Sequence, residues 1–290
     1  MPKSLINLAR LEADFEKWPE RAFSKSELES IFAESPVEWN LPRSMTSTKF
    51  IAMLRGRSKL SRVTLKSADY PPLLRYVWGR KISPVLLALS IKRHAYCSHA
   101  SAMWIHGLGG NERKVFVNSE QSEKPPNRGA LTQEAIDRAF RNEQRQSRLA
   151  YTYRGATMVV LSGKNSGQLE VAYATTPSGS RVEVTSLERT LIDITVRPAY
   201  AGGIPNVLEA FRRARGRISM EKLLRVLQAL AYPYPYHQSI GFYMKRSGHA
   251  VTDQELVRQL GTRFNFYLGH GLNDVVFDEE FKVYFPKSLQ

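Results

Sequence analysis

The chain has 290 residues, a formal net charge of +15, 42% hydrophobic residues and a single cysteine, Cys97. That apolar content is enough to bury a core, so disorder is not expected, and one thiol excludes an internal disulfide framework and fits a reducing compartment. No apolar run reaches the roughly 18 residues of a membrane span, and the charges in "MPKSLINLARLEADFEKWPE" interrupt any signal-peptide core, so a cytoplasmic protein of about two domains is the simplest expectation.

The charge is concentrated. Residues 1–42 carry five basic and eight acidic side chains, residues 43–93 carry twelve basic and one acidic (Asp69), and residues 94–290 carry twenty-five and eighteen. A basic block of this kind predicts one electropositive face. Nucleic acid is its commonest partner, ahead of an anionic membrane or an acidic protein.

In chain order, Leu5, Leu8, Leu11 and Phe15 recur at helical spacing over 4–17, and Trp18-Pro19 ends that helix. Ser24 and Glu27 form an S-x-x-E capping box for a second helix with Leu28, Ile31 and Phe32 on its apolar face, closed by Pro36. A third helix begins near Ser47 with Phe50, Met53 and Leu54 inward, and is expected to stop at Gly56. "LSRVTLK" and "LLRYVW", separated by the turn "SADYPP", read as a hairpin. Three short helices and a hairpin within residues 1–80 give the pattern of a winged helix-turn-helix DNA-binding domain.

At about 100° per residue, Thr48, Lys49, Ala52 and Arg55 point away from the core side of the third helix. Cations and Thr reach phosphates or base edges, while Ala permits close approach, so this face suits a major groove. With Val63 and Leu65 inward, Arg62, Thr64 and Lys66 face outward, joined by Arg75 on the return strand as phosphate contacts. Arg43, Arg57 and Lys59 extend the same surface. A solvated basic face that only keeps the protein soluble is the alternative; element order together with charge segregation favours DNA.

Residues 81–290 read as a second, mixed α/β domain. Ser83 caps and Pro84 opens an apolar helix reaching about Lys92, followed by a polar break at "HAYCSH" and a helix ended by Gly107. "KVFVNS", "LAYTYRGATMVVLSG" and "RVEVTS" read as strands. In "TSLERTLIDITVRP", Thr185 and Glu188 are read as a capping box, and Arg189 and Asp193 can pair at i,i+4. Two further helices, another around "QSIGFYMKRSG", and strands in "FNFYLGHG" and "DVVFDEEFKVYFP" complete the domain.

Three segments of this domain carry a resemblance: "YCSHASAMWIHGL" (96–108), "VTSLERTLIDITVRPAYAGGIPNVLEAF" (184–211) and "SIGFYMKRSG" (239–248). They are similar to the AbiEi-type antitoxins of bacterial type IV toxin–antitoxin and abortive-infection systems. The most specific part is S-x-E-R-T-L-x-D followed by a proline and a glycine pair. The 119–149 insert and "YPYPY" match nothing quotable from that family. The resemblance implies an α+β protein, an N-terminal winged helix followed by an antitoxin domain over 81–290. It also implies a transcriptional autorepressor that binds double-stranded promoter DNA and counteracts a nucleotidyltransferase-like toxin. It implies no catalytic residues and no cofactor, and it leaves open whether the toxin is contacted directly. Two copies on an inverted repeat are expected, from a chain that is monomeric in solution.

Catalytic signals are weak. Six histidines, at 94, 99, 106, 237, 249 and 270, show no zinc spacing, although His99 and His106 can share a helix face. "SGKNSG" lacks a phosphate-loop pattern, and the glycines of "HGLGG" and "LGHGL" read first as turns. Asp274, Asp278, Glu280 and Lys282 resemble the acidic and E-x-K elements of metal-dependent nucleases, the runner-up reading; an exposed edge strand with alternating charges is the plainer one. A third reading is an antitoxin that acts only by binding protein, its basic face meeting an acidic toxin.

Overall fold

A computed structural model describes residues 6–79, 81–123 and 129–290. Leu5, assigned to the first helix by its spacing, and residues 124–128 of the insert lie outside them. The fold is mixed α/β, with helices and three separate sheets.

The N-terminal unit runs α1 (Leu8–Lys17), β1 (Ala22–Phe23), α2 (Lys25–Ala33), a 3-10 turn (Val37–Trp39), α3 (Ser47–Arg57), β2 (Leu60–Leu65) and β3 (Leu73–Trp78). Its strands form an antiparallel sheet in the order β1-β3-β2. Both arms of the capping box are made: the Ser24 hydroxyl accepts from Glu27 N at 3.1 Å and the Glu27 carboxylate accepts from Ser24 N at 2.6 Å. Thr46 caps α3, accepting from Lys49 N. The helix runs through Gly56 to Arg57, and Ile51 joins Phe50 and Leu54 in the core. Large aromatics fill that core: Phe15 stacks on Trp78 at 4.4 Å, and Trp39 lies parallel to Phe50 at 6.0 Å.

Two carboxylates of α1 fasten this unit. Asp14 accepts from Trp39 Nε1 at 3.0 Å. That bond, then the one from Lys17, holds its pKa down at about 2. Glu16 accepts from Lys59 Nζ, Trp78 Nε1 and Arg21 Nη1, and these bonds, Lys59 first, hold it at about 2 as well. Lys59 and Trp78 sit at the open end of the hairpin, so α1 is pinned across β2 and β3.

The second unit begins with α4 (Pro84–Leu89), β4 (Tyr96–Cys97), α5 (His99–Ile105), β5 (Lys114–Glu120) and α6 (Gln133–Phe140). It continues with β6 (Ala150–Tyr153), β7 (Ala156–Gly163), β8 (Val171–Thr175), β9 (Arg181–Thr185) and α7 (Leu187–Val196). A 3-10 turn (Pro198–Ala201), α8 (Ile204–Ala214), α9 (Met220–Leu230), α10 (Tyr236–Ser247) and α11 (Val251–Arg258) follow. Last come β10 (Phe266–Tyr267), β11 (Val275–Asp278) and β12 (Val283–Pro286). A six-stranded mixed sheet has the order β6-β7-β5-β4-β9-β8, with β5–β7 and β4–β9 parallel and an antiparallel hairpin at each edge.

Several expectations are corrected here. "HAYCSH" is no polar break, because Tyr96 and Cys97 form a buried strand in the middle of the sheet. β4 has only two residues, too few for a period-2 pattern to register. The helix after Ser83 stops at Leu89 rather than near Lys92. The cap of α7 is Ser186, accepting from Arg189 N, and not Thr185, whose hydroxyl instead meets that of Thr190 at 2.8 Å. The final segment is not one exposed edge strand. β12 lies between β10 and β11, with Val283 and Phe285 buried. β8 and α11 were not read from the sequence: β8 is a largely exposed edge strand, and α11 has no side-chain cap and exposes Val251.

Four histidines of this unit, His99, His106, His237 and His270, have pKa values lowered chiefly by burial. His99 falls furthest, from 6.5 to about 3. Between those two values the unfolded chain binds protons that the folded chain refuses, so stability falls as pH falls through that window. Urea unfolding from pH 8 to pH 5 is therefore expected to give a flat stability above about 6.5 and a progressive loss below it. A stability that rises on acidification would contradict these burials.

Candidate nucleic-acid interface

The exposed face of α3 follows from its packing. Phe50, Ile51 and Leu54 are buried, which turns Thr48, Lys49, Ala52 and Arg55 to the surface. Arg43 before the helix and Arg57 at its end are exposed too. Among the described residues, none of the four cations Arg43, Lys49, Arg55 and Arg57 has a side-chain hydrogen bond or an ion pair, so their charge is available to a ligand. Lys59 differs: its ammonium is already paired with Glu16 at 2.9 Å, so part of its charge is matched within the chain.

The hairpin register sorts the remaining cations. Leu60 pairs with Trp78, Arg62 with Tyr76, and Val63 with Arg75. Directly paired residues share a face, and successive residues alternate. Arg62, Thr64 and Lys66 therefore project on the side of Leu60, Tyr76 and Trp78, beyond the edge of the N-terminal core, and all three are exposed. Arg75 projects on the opposite face with Val63.

This corrects the placement of Arg75 among the phosphate contacts. Its side chain is 7% exposed and lies between the hairpin and the second unit. Its guanidinium donates to Ser90 O at 2.8 Å and Ile91 O at 3.2 Å, carbonyls at the C-terminal end of α4, and to Leu74 O at 2.7 Å. A cation there satisfies carbonyls that the helix leaves open and complements its dipole.

Around Arg75, the inner face of the hairpin belongs to the second unit's core. Ala22, Leu65 and Val77 are buried with Val85, Val115 and Val160, and Val63 and Leu73 pack against them. The two units thus share β2 and β3, and a cut near residue 80 would expose this apolar face. The edges also join: Lys66 N donates to Thr152 O at 3.1 Å and Thr152 N to Lys66 O at 2.6 Å. This brings the β6–β7 turn beside the β2–β3 hairpin. Arg154, exposed at that turn with φ of 47°, lines one groove of about 740 Å³ together with Lys59 and Arg62. Arg154 was not among the residues expected from sequence, and nothing local in "TYRGA" ties it to a cation 92 positions earlier.

The S-x-E-R-T-L-x-D residues form a buried network. Ser186 caps α7, and Glu188 accepts from Ser219 N at 3.1 Å and pairs with Lys222 at 3.1 Å. Arg189 pairs with Asp193 at 2.8 Å, both almost fully buried, and donates to Leu169 O and Ser166 Oγ. Burial pushes the Asp193 carboxyl upward while the guanidinium opposes it. The following glycine pair has φ of 86° and 104° at Gly202 and Gly203, which turns the chain into α8.

Two of the three nuclease-like carboxylates are engaged elsewhere. Asp278 and Glu280 both pair with Lys245, Glu280 also pairs with Arg258, and Asp278 accepts from Phe281 N. Glu280 and Lys282 lie in the turn between β11 and β12 rather than along a strand. Among the described residues, no three His, Cys, Asp or Glu side chains are grouped so that they could hold a metal ion, and no helix is long and apolar enough to cross a membrane.

No family model and no curated protein matches the chain. Among solved structures, the crystal structure of the RV2827C protein from Mycobacterium tuberculosis is similar, at a TM-score of 0.55 and 14% identity, over 97% of this chain and 92% of that one. At that identity the likeness is one of fold.

Arg75→Ala is expected to cost about 1–3 kcal/mol of stability by leaving buried carbonyls unpaired, while its salt dependence of DNA binding stays that of the wild type. Urea unfolding and a salt titration of DNA affinity check both halves.

Proposed function

We propose that the chain is a DNA-binding transcriptional autorepressor and antitoxin, non-enzymatic, that counteracts a nucleotidyltransferase-like toxin. The N-terminal unit acts as a winged helix: α3 enters the major groove, and the β2–β3 hairpin is the wing. The observation that carries this reading is the exposed face of α3. It sets Lys49 and Arg55 beside Thr48 and Ala52, free of acidic partners among the described residues and flanked by Arg62 and Lys66. Arg and Lys at such positions meet guanine edges and phosphates, and the wing adds backbone contacts. One such unit reads few base pairs, so two copies on an inverted repeat supply selectivity. The antitoxin part rests on the resemblance of residues 96–108, 184–211 and 239–248 to AbiEi-type proteins.

Lys49→Ala and Arg55→Ala are expected to reduce the preference for promoter over random DNA, each by about 1–3 kcal/mol. Arg62→Ala, Lys66→Ala and Arg154→Ala are expected to weaken all sequences alike, and each to lower the salt slope by about one. Footprinting and salt-dependent gel retardation read both effects. Equal affinity of the wild type for promoter and random DNA would sink the repressor reading. Failure of the full chain to restore growth against a nucleotidyltransferase encoded beside it would sink the antitoxin reading.

A further inference from the structure

A cleft of about 470 Å³ opens in the second unit, away from the basic face of α3. Its floor includes His99, Arg189 and Asp193, its walls include Tyr200, Tyr232 and Tyr234, and Arg145, Lys164 and Arg197 stand on it as well. We propose that this cleft binds a nucleoside phosphate, with the phosphate held by Arg145, Lys164 and Arg197 and the base set among the tyrosine rings.

The charge favours an anion. Four cations and two carboxylates, Glu143 and Asp193, line the cleft, and Asp193 is matched by Arg189 at 2.8 Å. The side chains of Arg145 and Arg197 have no hydrogen bond or ion pair among the described residues. Arg197 lies over the Tyr200 ring at 5.8 Å, and Lys164 lies over the Tyr232 ring at 5.8 Å. Lys164 also donates to Leu230 O and Ala231 O, which fixes its ammonium at the end of α9. Cations resting on aromatic faces beside a concave site place charge and a stacking surface together, as phosphate and a heteroaromatic base require.

The floor supplies polar groups that a base or ribose can use. His99 is buried at φ of 49°, in the left-handed region that few residues other than glycine adopt. One ring nitrogen, Nδ1, meets Ser98 Oγ at 2.9 Å, and the other has no protein partner among the described residues. Asp193 uses Oδ1 on Arg189, and its second oxygen has no hydrogen-bond partner among the described residues. The volume suits a mononucleotide and is small for a polynucleotide strand.

The test uses the full chain in isothermal titration calorimetry with the four ribonucleoside monophosphates, the matching triphosphates, uncharged ribonucleosides and inorganic phosphate. At least one nucleotide is expected to bind with a Kd on the order of 10–100 μM, tighter than its nucleoside and than phosphate alone. Arg197→Gln, which removes a cation with no structural hydrogen bond, is expected to weaken binding about tenfold. The Lys49→Ala, Arg55→Ala double variant is expected to bind as the wild type does, which separates this cleft from the DNA-reading helix. Absence of nucleotide binding at millimolar concentration would overturn the proposal. So would phosphate binding as tightly as every nucleotide, or loss of binding in the α3 variant rather than in Arg197→Gln. Promoter binding is a separate measurement, and its failure would leave this result standing.

Discussion

The hairpin β2–β3 is the element on which the remainder depends, because both of its faces are occupied. One face closes the aromatic core around Phe15, Trp39 and Phe50. The other lies in the apolar core of the six-stranded sheet. β3 is buried on both sides from Arg75 to Trp78 and cannot slip by one residue, since every side chain would change face, and β2 is held in register by pairing with it, its outer residues past Leu60 left exposed. That register decides which cations reach solvent: Arg62 and Lys66 do, and Arg75, opposite Val63, does not. The position of the basic surface relative to the second unit is therefore a consequence of packing and not of charge.

The same sharing links the two units mechanically. Glu16 pins α1 across the open end of the hairpin, Arg75 pins the hairpin to the end of α4, and Lys66 joins the hairpin edge to β6. Of these, Arg75 is the buried one, and its hydrogen bonds satisfy a guanidinium that burial would otherwise penalise, whereas Glu16 and Lys66 are exposed. The S-x-E-R-T-L-x-D segment plays a comparable part within the second unit. Glu188 reaches to α9, and Arg189 reaches to the loop after β7, so a single helix holds neighbours on two sides. Its ion pair is enclosed, and such a pair is worth little for net stability but costly to break. The residues of S-x-E-R-T-L-x-D are thus committed to architecture, even where Arg189 and Asp193 line a cleft.

Much of the N-terminal unit was legible from the sequence by itself. Apolar spacing placed its three helices, Ser24 and Glu27 set a capping box, and the alternation of "LSRVTLK" and "LLRYVW" set the hairpin. These signals are local, arising from helix period, cap chemistry and strand alternation over a few residues. The solvent-facing residues of α3 were legible for the same reason. In the second unit, the strands of "KVFVNS" and "RVEVTS" and the helix of "SLERTLIDI" were equally plain.

Long-range pairing decided the rest. Tyr96 and Cys97 are a central strand only because β5 and β9 flank them, and β12 is interior only because β10 and β11 lie beside it. Lys59 pairs with Glu16, 43 residues earlier, and Arg154 comes beside the hairpin through a bridge between Lys66 and Thr152. The cleft around His99 gathers side chains from residue 99 to residue 270. The sequence determined which segments carry positive charge and which faces of its helices are apolar, because both are written within a few neighbouring residues. Only the tertiary structure decided which cations remain exposed and which polar groups converge, because burial and pairing are set by segments that meet solely through folding.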